Sequence, residues 1–188
     1  MRLLLVLVTF VSAALPLLGA DSSGTTFYPQ PILLTSVGQA ADVLILKGLA
    51  LRSGVKIEYK SGATADSLGD CKTLLLVAGG SSKGLGAAKI DPEAEIKRVK
   101  NLTKAARKAN MPILVYHIGG EARRGALSDP FNELAAAAGV EIVVVSGGDK
   151  DGFFKKIADK NKAKYISIDK SIEVMEVLKK QFGLHSGE

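Results

Sequence analysis

Ser82 and His117 are the side chains of this 188-residue chain whose types and settings suit nucleophilic chemistry. Ser82 lies in Gly80-Ser81-Ser82-Lys83-Gly84, directly after the apolar run Thr73 to Ala78. That G-x-S-x-G spacing after a strand lifts a nucleophile onto a sharp strand-to-helix turn. Of the two histidines, His117 ends an apolar stretch and His185 sits close to the C-terminus. With Asp129 a Ser82, His117, Asp129 triad can be drawn, Lys83 or the loop amides stabilising a developing oxyanion. Its chain order differs from that of the α/β-hydrolases, where the acid precedes the histidine.

Other chemistries fit less well. Gly80 to Gly86 also satisfies the G-x-x-x-G-x-G spacing of short-chain dehydrogenases, but it does not follow the first strand and no Tyr-x-x-x-Lys pair accompanies it. No dinucleotide or other cofactor is therefore expected. The phosphate-binding Walker pattern fails, because no Gly-Lys-Ser/Thr closes the loop. One cysteine and one well-placed histidine do not make a zinc site. Nothing in the spacing of Glu121, Asp129, Asp149 and Asp151 makes them converge on a hard cation. No metal is expected. Tryptophan is absent and aromatics make up 5% of the chain, so stacking on nucleic acid is not expected either.

The elements that must position these residues alternate. Apolar strands are expected at Ile32 to Ser36, Val55 to Tyr59, Thr73 to Ala78, Ile113 to Tyr116, Ile142 to Val145 and Tyr165 to Ile168. Helices are expected between them, from about Ala40 to Leu51, from Asp91-Pro92, from Asp129-Pro130 to Gly139, and around Phe153, Phe154 and Ile157. Asp-Pro pairs an acidic cap with proline at the first helical position. A last helix places Ile172, Met175, Leu178 and Phe182 on one face. In the helix after Asp91, Ile96, Val99, Leu102 and Ala106 form the inner face. Lys97, Arg98, Lys100, Lys104, Arg107 and Lys108 form the solvated one. The pattern predicts a three-layer α/β/α sandwich, flavodoxin-like or Rossmann-like, with a mostly parallel sheet of five or six strands.

In such sheets ligands bind beyond the carboxyl ends of the strands. The loops there are rich in glycine and charge: Ser36 and Gly38; Gly80, Ser81, Ser82, Lys83 and Gly84; His117, Gly119, Gly120, Glu121, Arg123 and Arg124; Gly148 and Asp149. Opposite loops, such as Ser53-Gly54 and Ala109-Asn110, are plainer. The expected function is capture of a small anionic or polar molecule at that edge, as an accessory to envelope transport or sensing. Backbone amides would cradle it, with charge from Lys83, Arg123 and Arg124. One alternative is an interaction domain docking on an envelope protein. Another is a hydrolase or transferase using Ser82 or His117.

Residues 1–20 read as a cleavable secretory signal, with Arg2, an apolar stretch from Leu3 to Leu18 and a small-residue end at Gly19-Ala20. Residues 21–30 are a polar lead-in, 31–183 one α/β domain and 184–188 a tail. The product is expected to be exported, periplasmic or extracellular, without a membrane span after cleavage. The leader carries one charge, Arg2, of the net +6. Cys71 is the only cysteine, so no internal disulfide forms, and its place beside a strand predicts burial. The chain resembles a family of exported bacterial proteins catalogued only as a domain of unknown function. The resemblance rests on Gly79 to Ala87, His117 to Gly125 with Ser128-Asp129, and Asp149 to Gly152. It implies a signal plus a single domain, and no activity.

Overall fold

The computed structural model describes residues 27–184; residues 1–20, with the expected signal, and the end of the tail lie outside them. Six parallel strands, β1 (Ile32–Val37), β2 (Ile57–Tyr59), β3 (Thr73–Ala78), β4 (Ile113–His117), β5 (Glu141–Val145) and β6 (Lys164–Ile168), form one sheet in the order β2-β1-β3-β4-β5-β6. This is the expected three-layer architecture, with the flavodoxin-like reversal between β1 and β3. Strands β1, β3 and β4 are buried along their whole length, so they read as continuous apolar runs.

Side chains leave the strands alternately to the two faces. One face carries Leu33, Leu74, Leu76, Ile113, Val115 and Ile142 against Val99, Leu102, Ala106, Phe131 and Phe154. The helices there are α3 (Pro92–Lys108), α4 (Asp129–Ala136) and α5 (Phe153–Asn161). The other face carries Ile32, Leu34, Leu75, Val77, Leu114 and Val143 against α1 (Asp42–Arg52) and α6 (Val174–Phe182). Cys71 is buried, as expected. The α3 start is as read: Asp91 accepts from the Ala94 amide at 2.6 Å, and Pro92 occupies the first turn.

Four expectations change. The loop before Asp91 contains a short helix, α2 (Ser82–Ala87), capped by Ser81. Val55 lies outside β2, its amide donating to Ala50 at the end of α1. The inner face of α6 is Val174, Leu178, Gln181 and Phe182, while Ile172 is exposed in a preceding 3-10 turn. Arg98 is not on the solvated face of α3: its side chain is 8% exposed and paired with Glu95, which is fully buried.

Candidate functional site

The point where strand order reverses is closed by the chain itself. Gln39, after β1, and Gly80, after β3, form an antiparallel bridge across the crevice. The Gly80 amide donates to Ser128 Oγ at 3.1 Å, and the Ser81 amide to the Gly38 carbonyl at 2.9 Å. A Cβ on Gly38 would lie 2.6 Å from the Gly79 oxygen and 2.8 Å from the Phe131 ring, and one on Gly80 would lie 2.9 Å from the Leu127 oxygen. A Cβ on Gly84 would lie 1.9 Å from the Gln39 oxygen. These glycines admit neighbouring backbone, where the sequence suggested a ligand.

Beneath the bridge lies a charged hub built on Glu95 and on Arg98, which was expected in solvent. Glu95 accepts from the Gly38 amide at 3.0 Å, Gln39 Nε2 at 3.1 Å, and Arg98 Nε and Nη2 at 2.8 and 2.7 Å. Arg98 also donates to the carbonyls of Ala63 and Ser36, each at 2.6 Å. Ser36 itself is buried, its hydroxyl donating to the Ala40 carbonyl. An i,i+3 Glu–Arg pair is what a solvated helix face also contains, so the sequence held no distinguishing signal.

The expected cations are mostly spent. Arg123 pairs with Asp42 at 2.6 Å. Arg124 grips Asp151 with two parallel hydrogen bonds of 2.9 Å, reaches Asp129 at 2.8 Å and the Gly148 carbonyl at 2.7 Å, and stacks on Phe153. The Asp151 hydrogen bonds hold the guanidinium even more firmly charged, and Arg124 in turn holds Asp151 well below the usual carboxylate range. Burial pushes Asp129 up, but Arg124 and Asn132 more than offset it and leave it lowered. Glu121 pairs with Lys150 at 2.7 Å. Asp149 accepts from the Phe154 and Lys155 amides and from the Tyr165 hydroxyl, so it starts α5. Lys83 is exposed and has no carboxylate partner among the described residues.

Ser82, His117 and Asp129 are not assembled as a triad. Ser82 is exposed in the first turn of α2. His117 is fully buried, Nδ1 lying 3.2 Å from the Ala78 oxygen and Nε2 3.1 Å from the Gly120 oxygen, with its ring on Phe154. A Cβ on Gly148 would lie 2.6 Å from the same ring, and one on Gly119 would lie 2.2 Å from Arg123 Cγ. Gly120 turns at φ +60. Burial lowers the His117 pKa and the two carbonyls oppose that shift. A neutral ring donates to one carbonyl and presents a lone pair to the other. The nearby Asn132 is buried, donating to the Arg123 carbonyl; its Oδ1 has no partner among the described residues. A cleft of about 230 Å³ opens at this edge among Glu121, Arg124, Gly147, Gly148, Lys150 and Asp151. Among the described residues no His, Cys, Asp and Glu group could hold a metal.

Residues 29–182 match the family described as "Domain of unknown function (DUF6305)". The chain belongs to this family. No curated protein matches it. Among solved structures it is similar to the S13A mutant of the esterase AlinE4, at 11% identity and TM-score 0.31, covering 84% of each chain. It is also similar to AlinE4 itself, a SGNH-hydrolase family esterase, at 12% identity and TM-score 0.31, covering 76% of each chain. Likeness that low carries no argument about the activity of this DUF6305 chain.

Proposed function

We propose that this DUF6305 domain is a non-catalytic interaction module that docks an apolar helix of a partner protein on the outer face of α1. The observation that carries this reading is the sequence Asp-Val-Leu-Ile-Leu-Lys-Gly-Leu-Ala-Leu-Arg, which is apolar on both sides of the helix. Val43, Leu46, Leu49 and Ala50 face the sheet. Leu44, Ile45 and Leu51 point outward and are 54%, 53% and 56% exposed. Gly48 lies at helical spacing between them, with nothing within 4 Å of a Cβ placed there. An exposed mid-helix glycine costs about 1 kcal/mol against alanine, and no contact within the domain requires it. A small residue between large apolar ones lets a second backbone approach closely. If the leader directs export, the partner is an envelope protein.

A photo-crosslinking residue at Ile45 tests this, with Lys97 on the solvent face of α3 as control. Position 45 is expected to yield a discrete adduct with one partner, lost on Leu44→Glu with Leu51→Glu. No adduct at 45, or the same adduct from 97, would refute docking through α1.

A second reading keeps a small anion at the carboxyl edge, supported by the exposed charge of Lys83, which has no carboxylate partner among the described residues. Its test is thermal stabilisation by inorganic phosphate, which must disappear in Lys83→Ala. The hydrolase alternative has an exposed Ser82 in its favour, but both His117 nitrogens face backbone carbonyls. Short-chain ester hydrolysis is expected to be at background level and unchanged by Ser82→Ala.

A further inference from the structure

A wide cleft lies at the opposite, amino edge of the sheet, where no site was expected. It has a volume of about 860 Å³ and is walled by Tyr28, Pro29, Leu68, Met111, Pro112 and Val140. That volume is within the range of about 300–1,000 Å³ that accommodates small organic ligands. Two cations, Lys72 and Arg107, stand among the lining residues and no acidic residue does. Lys72 is exposed, and neither side chain has a carboxylate partner among the described residues. Arg107 donates to the Ala137 carbonyl at 2.9 Å. An adjoining cleft of about 280 Å³ shares Arg107 and adds Lys100 and Lys104. These two lysines also lack a carboxylate partner among the described residues.

We propose that this groove binds a single-chain amphiphile with an anionic head group. The apolar walls take the alkyl chain, because burying hydrocarbon there removes it from water. Lys72 and Arg107 take the head, and their charged donors favour a carboxylate or phosphate over a neutral group. Cys71 lines the groove, but its thiol is buried and 3.7 Å from Glu58 Oε2. Burial and that carboxylate push the thiol up, so it stays protonated and contributes contact only. The groove lies on the α3 side of the sheet, away from α1, so this inference stands or falls independently of docking through that helix.

Calorimetric titration with decyl phosphate, below its micelle concentration, tests the assignment, with decyl glucoside and inorganic phosphate as comparators. Decyl phosphate is expected to bind one to one, at least about tenfold more tightly than either comparator. Lys72→Glu with Arg107→Glu is expected to weaken it by about tenfold or more. Ala109→Trp, an exposed lining position, is expected to fill the groove and abolish binding with an unchanged circular dichroism spectrum. Any one of three results overturns the proposal: no binding of decyl phosphate, equal binding of decyl glucoside or inorganic phosphate, or binding that survives Ala109→Trp.

Discussion

Glu95 and Arg98 hold two loops by charge in a place that water does not reach. Removing one partner of a buried pair leaves the other uncompensated and costs about 3–5 kcal/mol. Glu95→Ala is therefore expected to lower stability by that order in urea unfolding, while Lys97→Ala, one position from Arg98 but exposed, is expected to change it little. His117 makes a different kind of prediction. Its native pKa lies below the ordinary value of 6.5, chiefly through burial. Below about pH 6.5 the unfolded chain takes up a proton that the native ring resists, so stability is full above that pH and falls as pH drops through it. Melting from about pH 7 to about pH 5 is expected to show this fall in the wild type and a flatter profile in His117→Gln. The lowered carboxylates Asp129 and Asp151 act only in more acidic solution, near and below their ordinary value of 3.8.

Among the elements, the helices show where sequence reading succeeds. The Asp91-Pro92 start was legible because cap and proline act locally, within one turn; at Asp129-Pro130 a helix begins as expected, but its N-cap is Ser128 and Asp129 pairs with Arg124 instead of capping. Helix α2 was not, because Ser-Lys-Gly-Leu-Gly-Ala has poor intrinsic propensity. It forms because Ser81 Oγ accepts from the Gly84 amide and Gly84 packs on the Gln39 carbonyl, a contact between distant loops. Its two glycines should respond in opposite ways. Gly84→Ala, with no room for a methyl, is expected to cost about 1–3 kcal/mol by overpacking. Gly86→Ala, with nothing within 4 Å, is expected to stabilise by about 0.5–1 kcal/mol. Gly48→Ala in α1 should stabilise similarly, and if α1 docks a helix it should weaken the complex; denaturation and crosslink yield read the two effects separately. The glycine-rich edge illustrates the limit of the sequence. Composition showed that backbone must be approached closely there, but glycine looks the same whether the approaching group is a ligand or the protein's own loop.

At the scale of the whole molecule, the six strands and both helical layers followed from alternating apolar runs, because burial on two faces leaves that mark on every central strand. What holds the last layer in place did not. Gln181 Nε2 donates to Glu141 Oε1 at 2.8 Å, its Oε1 accepts from the buried Tyr116 hydroxyl, and Tyr28 donates to Glu141 Oε2 at 3.0 Å. The Tyr28 amide also donates to the Gln181 carbonyl. These links join the described start of the chain, the middle of the sheet and the final helix. Gln181→Leu strands a hydroxyl and part of a carboxylate, and is expected to cost about 1–3 kcal/mol in urea unfolding.

The position of α6 gives the fold a direction in time. From β3 onward each new strand adds at one growing edge, so half the sandwich can assemble as the chain is made. The opposite half cannot, because Val174, Leu178 and Phe182 complete the layer that covers Ile32, Leu75 and Leu114. Until residue 182 is available the part of that face left for α6 stays wet, so closure of the second layer waits for the last helix.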